Sequence, residues 1–259
     1  MHARRSLLGG ILGVALAAGL SSSAFAAGEA PTPPRQNWSF SGVFGTFDRA
    51  AAQRGLLVYK QVCASCHGLT RVAYRNLAAI GLSEDEIRAL AAEITVVDGP
   101  NDDGEMFERP GRPSDRFKSP YPNEKAARAA NNGAYPVDLS LITKARAGGA
   151  DYIYALLTGY RDAPPPGVAV LEGLHWNDYF PGHWIAMARP LYDDQVEYPD
   201  GTKATTEQMA WDVTTFLAWA SQPYLEQQRQ IGVRAILFLL VLAGLTYGVK
   251  RRIWADLKH

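Results

Sequence analysis

Cys63-Ala64-Ser65-Cys66-His67 places two thiols three positions apart with an imidazole directly behind them, and these are the only cysteines of the chain. Thiols at this spacing at a helix end can each add to one of the two vinyl groups on a haem edge. The next residue then sets an imidazole below the iron. Two other chemistries use a paired C-x-x-C. A thioredoxin-like redox pair follows a strand in a βαβ unit, whereas the residues before Cys63 read as a helix. A zinc site needs two further ligands, and the sequence has neither a second cysteine pair nor an H-x-x-x-H stretch. The motif predicts one covalently bound haem c, attached through Cys63 and Cys66, with His67 as proximal ligand.

A low-spin electron carrier also takes a sixth ligand from the distal side, and the candidates are Met187, His183, His175, Met106 and Met209. Met209 falls inside an amphipathic helix, where packing explains it. Met106 lies in a charged loop without apolar neighbours. Met187 sits in Trp184-Ile185-Ala186-Met187-Ala188-Arg189-Pro190-Leu191, an irregular, Pro-flanked apolar segment suited to holding a thioether. His183 is its serious rival, because a bis-His haem is chemically sound.

The rest of the chain must deliver this chemistry to a compartment and hold it there. Arg4 and Arg5 precede a 14-residue apolar stretch, 7–20, and Ala24-Phe25-Ala26 closes it with a small-x-small ending. That is the plan of a secretory signal peptide, residues 1–26, and the stretch is too short to span a bilayer. Residues 231–249 form a second apolar run, 19 long with the single charge Arg234, followed at once by Lys250, Arg251 and Arg252. At about 1.5 Å per residue it covers about 28 Å, enough for a membrane span, and the cations mark its cytoplasmic end. A buried core helix would not carry three consecutive cations. The expected organisation is a signal peptide at 1–26, a periplasmic haem domain at 27–222, a helix at 223–254 containing the anchor, and a cytoplasmic tail at 255–259. The chain is then a single-pass protein of the bacterial cell membrane.

The 259 residues are 47% hydrophobic and 20% charged, which fits a globular core and excludes disorder. Basic and acidic residues number 26 each, so the chain has no nucleic-acid binder's charge. The balance averages unlike segments. Without the two leader arginines, and the five basic and one acidic residues from 231 onward, 19 basic and 25 acidic residues remain at 27–230, a net of −6. Such a face would steer a basic partner.

Between the ends the pattern is mainly α with long loops. A helix is expected over 47–62 with Thr46 as N-cap, and another from the Ser83-Glu84-Asp85-Glu86 capping box to about Ile94. Residues 97–122 read as a loop-rich insertion. Helices follow at 124–132, 139–147 and 152–158, each ending at a glycine. About 40 irregular residues follow Pro164-Pro165-Pro166. Thr205-Thr206-Glu207-Gln208 opens a helix to about Ser221, and Pro223 sits in the first turn of the next. Convincing alternating strand runs are absent.

Several longer motifs, in order, resemble the cytochrome c1 family: Arg54-Gly55-x-x-Val58-Tyr59 leading into Cys63-x-x-Cys66-His67, Asp98-Gly99-Pro100-Asn101, Ala127-Arg128-Ala129-Ala130-Asn131-Asn132-Gly133-Ala134 and Pro136-x-Asp138-Leu139-Ser140. Ala145-Arg146-x-Gly148-Gly149-x-Asp151-Tyr152, Leu156-Leu157-Thr158-Gly159-Tyr160, Tyr179-Phe180-Pro181-Gly182, Ile185-Ala186-Met187 and the Lys-Arg-Arg-x-Trp end continue the match. The resemblance implies a cytochrome c-type haem domain with long loop insertions and one C-terminal transmembrane helix. It implies His67 and Met187 as axial ligands, Arg146 and Tyr152 at the propionates, and a pocket lined by Asn131, Pro136, Leu139, Ile142, Leu156, Phe180 and Ile185. Tyr59, Phe216 and Trp219 are expected where the flanking helices cross. By the same resemblance the chain is the haem subunit of ubiquinol–cytochrome c oxidoreductase, partnered by cytochrome b and the Rieske iron–sulfur protein. It would pass electrons from the Rieske protein to a soluble, basic cytochrome c, the isolated chain only carrying electrons. Two competing readings are another membrane-anchored monohaem carrier and an exported thiol oxidoreductase using Cys63 and Cys66.

Overall fold

The computed structural model describes residues 31–256, so the expected leader at 1–26 and the last three residues of the tail lie outside the described residues. In chain order the elements are α1 (Arg49–Gln61), α2 (Glu84–Ala92), strands β1 (Thr95–Asp98) and β2 (Phe107–Pro110), α3 (Glu124–Ala130), α4 (Ile142–Ala145), α5 (Gly149–Thr158), strands β3 (His175–Trp176) and β4 (Trp184–Ile185), α6 (Thr206–Ser221) and α7 (Leu225–Ile253). 3-10 segments cover Cys63–Ser65, Tyr74–Ile80 and Leu139–Leu141. The architecture is mainly α, as expected.

α1 and α6 form the central crossing. Gly55 makes their close approach possible: a Cβ there would stand 2.0 Å from the Asp212 carbonyl oxygen and 2.7 Å from the Phe216 Cβ. One residue earlier, the Arg54 guanidinium grips the buried Asp212 carboxylate with two hydrogen bonds of 2.9 and 3.0 Å. A buried charge is tolerated only when paired in this way. Tyr59 meets Phe216 with ring centroids 5.8 Å apart, and Phe216 meets Trp219 at 5.6 Å, so the three expected aromatics do sit at the crossing. α5 packs beside α6, and Leu139, Ile142, Tyr152 and Ile153 join the same apolar core.

Local capping explains most helix ends and corrects some expectations. The Ser83 box is reciprocal, with the Glu86 amide donating to Ser83 Oγ at 3.3 Å and the Ser83 amide donating to Glu86 Oε2 at 2.7 Å. α1 starts later than 47, because Asp48 takes the cap by accepting from the Ala51 amide at 3.1 Å, while the Thr46 amide closes a turn onto Ser39. Thr205 does cap α6, accepting from the Gln208 amide, but the Gln208 side chain turns to Asp212 instead of completing a box. α3 ends at Ala130, two residues short of the expected end. The helix expected over 139–147 is a 3-10 turn followed by a short α4. Arg146 leaves it in extended geometry because Gly148 and Gly149, at φ +83° and +55°, start α5 from a left-handed turn.

The loop expected over 97–122 contains most of an antiparallel hairpin, with Thr95 opposite Pro110 and Asp98 opposite Phe107. Arg109 holds it, bonding Asp98 within the hairpin and Asp115 beyond it at 2.7 Å. The irregular stretch after Pro164 likewise hides the two-residue pair of β3 and β4. α7 starts at Leu225, past Pro223, and runs 29 residues with none of them buried. It is long and apolar enough to cross a membrane.

Candidate functional site

α1 ends at Gln61, Val62 caps it, and the chain then tightens into a single 3-10 turn at the thiols. The Cys66 and His67 amides both donate to the Cys63 carbonyl, at 3.1 and 2.9 Å. The fold puts a helix, not a strand, before the C-x-x-C pair, which removes the thioredoxin-like context. Both cysteines are free and half-buried, and Cys63 packs against the main core. Burial pushes the Cys63 thiol up to about 12, with the Cys66 charge adding to it. A redox-active thiol needs the opposite shift. Among the described residues, no group of three or more His, Cys, Asp or Glu converges into an ionic metal site.

The segment from His67 to Arg71 is zipped to the segment from Val137 to Ser140. The Leu139 amide donates to the Gly68 carbonyl at 2.8 Å. Thr70 donates to Asp138 through its amide at 2.9 Å and its hydroxyl at 2.8 Å, and the Arg71 amide donates to Ser140 Oγ at 3.0 Å. At the head of this zipper, His67 Nδ1 lies 2.7 Å from the Val137 carbonyl oxygen. A carbonyl only accepts, so Nδ1 carries the proton and Nε2 keeps its lone pair. Burial also lowers the His67 pKa, which favours the neutral ring, with the Val137 bond working against it. Two free thiols, followed by a neutral imidazole whose orientation is fixed and whose Nε2 can ligate iron, fit a covalently held haem.

The expected pocket residues fall into two groups. Cys63, Leu139, Ile142, Tyr152 and Leu156 share one apolar cluster. Half-buried Asn131 donates to the Ala127 carbonyl at the end of α3, and Pro136 directly precedes Val137. Arg146 is exposed; burial raises the Tyr152 phenol, and the Arg146 charge opposes that shift. Phe180, Ile185 and Met187 sit on a separate segment that includes β4.

That loop is organised by Asn177, which is fully buried and which the sequence reading did not single out. Its side-chain amide donates to the Leu156 carbonyl of α5 at 2.7 Å, and its side-chain oxygen accepts from the Tyr179 and Phe180 amides. Tyr160, just past α5, donates its hydroxyl to the Met187 carbonyl at 3.0 Å. Val137, Asp138 and Tyr160 were also missed as positioning residues. Asp138 alone had a local signal, as the cap of the Leu139–Leu141 turn, where its side chain accepts from the Ser140 amide.

The distal candidates separate by environment. Met209 is fully buried in α6, as its packing role requires, and Met106 is 60% exposed on the hairpin. Met187 is half-buried. His183 stacks on Trp176, with centroids 4.7 Å apart and planes 9° apart, and its Nδ1 lies 3.2 Å from the Asn177 carbonyl oxygen. His175 is exposed on β3.

Known proteins match this chain over most of its length. The model of the Cytochrome C1 family matches residues 38–257. The chain is 49% identical over 240 residues to cytochrome c1 of Rhodospirillum rubrum, covering 87% of this chain and 88% of that protein. It is 52% identical over 227 residues to the mitochondrial cytochrome b-c1 complex catalytic subunit of Candida albicans, covering 88% and 79%. Over 245 residues it is 51% identical to cytochrome b/c1 of Bradyrhizobium diazoefficiens; the match covers 86% of this chain but 36% of that longer protein.

Proposed function

This chain belongs to the cytochrome c1 family, and from that premise we propose that it is the membrane-anchored haem subunit of a quinol–cytochrome c oxidoreductase. In this reading it takes electrons from a Rieske iron–sulfur protein beside cytochrome b and passes them to a soluble cytochrome c. Names of relatives as a b-c1 complex subunit and as a joined cytochrome b/c1 support the complex and the cytochrome b partner. When bound, haem c supplies a one-electron ferric–ferrous couple whose potential depends on its axial ligands and burial.

The observation that carries the reading is the 2.7 Å bond from His67 Nδ1 to the Val137 carbonyl, directly behind two free thiols. Cys63 and Cys66 provide the thioether attachments. His67 offers Nε2 and gains basicity from the carbonyl at its other nitrogen. Met187 would offer its thioether to the iron from a loop restrained by Tyr160 and Asn177. Leu139, Ile142, Leu156, Ile185 and Phe180 exclude water, with Asn131 and Pro136 at the pocket's edge. Arg146 and Tyr152 would hold the propionates. The exported part carries the net of −6 that would attract a basic acceptor. α7 anchors it, with the haem domain periplasmic and the cations after Val249 cytoplasmic.

Purification of the membrane complex tests this reading. The band of this chain should retain haem after denaturing electrophoresis, lose it in a Cys63→Ser, Cys66→Ser double variant, and travel with cytochrome b and the Rieske protein. Oxidation of the reduced chain by a basic soluble cytochrome c should slow as salt rises. A chain that carries no haem, or that purifies alone with full quinol-independent activity, sinks the proposal.

A further inference from the structure

Asp138 joins the two segments beside His67 with a single carboxylate. One oxygen accepts from the Ser140 amide at 2.9 Å, and the other accepts from the Thr70 amide at 2.9 Å and the Thr70 hydroxyl at 2.8 Å. The second oxygen also lies against the residue that follows the imidazole: a Cβ on Gly68 would stand 3.1 Å from Asp138 Oδ2. Directly before Asp138 in the chain is Val137, whose carbonyl accepts the His67 Nδ1 proton at 2.7 Å. The carboxylate therefore touches both pieces of backbone that set the imidazole, the one that carries it and the one that orients it.

All three donors are neutral, and no cation pairs with Asp138 among the described residues. Burial works to raise its pKa, but the bonds from Ser140 and Thr70 outweigh that and the net shift is down, so the group is ionised at neutral pH. At His67, burial lowers the pKa, and the Asp138 charge, like the Val137 bond, pulls the other way. Capping the Leu139–Leu141 turn does not call for a charge, because a neutral Asn caps as well as Asp. What Asp138 adds is an uncompensated negative charge one residue from the carbonyl that holds the imidazole.

We propose that Asp138 is a charge-bearing positioning residue that lowers the electron affinity of the haem held by His67, by keeping a negative charge beside the imidazole whose bond to Val137 it steadies. The inference rests on the proposed haem attachment and on His67 as its ligand. A negative charge near the iron favours the more positive ferric state, and a hydrogen-bonded, more basic imidazole does the same.

The test is a redox titration of the haem-loaded full chain in detergent, at low and high salt, with three variants. Asp138→Asn keeps the shape and loses the charge. It should bind its electron about threefold more tightly, a rise of roughly 28 mV at about 59 mV per tenfold. Because the carboxylate is exposed, the gap to the parent should shrink as salt rises. Asp138→Glu keeps the charge and should stay nearer the parent than Asp138→Asn does. Thr70→Val removes the hydroxyl bond and leaves the charge, so it should melt lower at an unmoved potential. An unmoved potential in Asp138→Asn overturns the proposal. So does a shift as large in Thr70→Val, or a gap indifferent to salt, since a purely structural clamp would behave that way. If Asp138→Asn holds no haem, retention by Asp138→Glu at the parent's potential supports the charge, and loss from both overturns it. A parent chain without covalent haem, or a His67→Ala variant with the parent's spectrum, overturns the underlying reading instead.

Discussion

The Tyr160 hydroxyl donates to the Met187 carbonyl across 3.0 Å, tying the end of α5 to the loop that carries the one half-buried methionine among the described residues. Tyr160→Phe keeps the ring and removes the donor. Leaving a carbonyl unsatisfied costs about 1–3 kcal/mol, so thermal unfolding should shift down modestly. If Met187 ligates iron, the midpoint potential should fall as well, because the loop no longer holds the thioether in place. A variant with lower stability and an unchanged potential would separate this bond from the ligand.

Met187→Leu and Met209→Leu delete the same sulfur from two different environments. Met209 is fully buried in α6, where a volume-conserving swap costs under about 1.5 kcal/mol and should leave the spectrum alone. Met187→Leu should keep haem covalently attached while lowering its potential, each tenfold change in equilibrium constant being about 59 mV. Redox titration of both variants beside the parent decides the matter. Should Met187→Leu titrate like the parent while His183→Ala collapses the spectrum, the ligand is His183.

Arg109 holds the Asp115 carboxyl down at about 2. A carboxyl in the unfolded chain titrates near about 3.9. A depressed folded value gives stability that is complete above the unfolded pKa and lost as pH falls towards the folded one. Amide exchange across β1 and β2 should therefore be insensitive to pH-driven opening at pH 5–7 and show loosening only as pH drops from about 4 to about 2. Asp115→Asn should loosen the hairpin already at neutral pH and flatten this dependence. An identical acid profile in that variant would remove the ion pair from the account.

Two truncations separate the anchor from the domain. A chain ending at Gln222 retains α1 through α6 but loses Glu226, which holds the Phe47 amide at 2.8 Å and Arg49 at 2.6 Å. A chain ending at Gln230 keeps those bonds and still omits the apolar run. Both should be exported, haem-loaded and soluble, and the longer one should melt higher. Equal melting temperatures would mean that the Glu226 and Arg229 bonds to residues 40–49 contribute nothing outside the membrane.

Features of this protein legible in its sequence were those built from neighbours along the chain. The Cys63, Cys66 and His67 spacing, the Ser83 box, the Thr205 cap and the apolar run before Lys250 each satisfy or expose groups within a few residues. Their physics therefore needs no partner from elsewhere. The corrections came where two local choices competed, as when Asp48 displaced Thr46 as a cap, or where an element was too short to show a period, as with the two-residue strands at His175 and Trp184. The orientation of the His67 imidazole was not local at all. His67 takes its tautomer from a backbone carbonyl 70 residues away, and the Met187 loop takes its shape from Asn177 reaching back 21 residues to Leu156. Every residue carries a carbonyl, so no residue type advertises which one will accept. Only the packing of α5 and the 137–140 segment against the core brings those oxygens within hydrogen-bond reach.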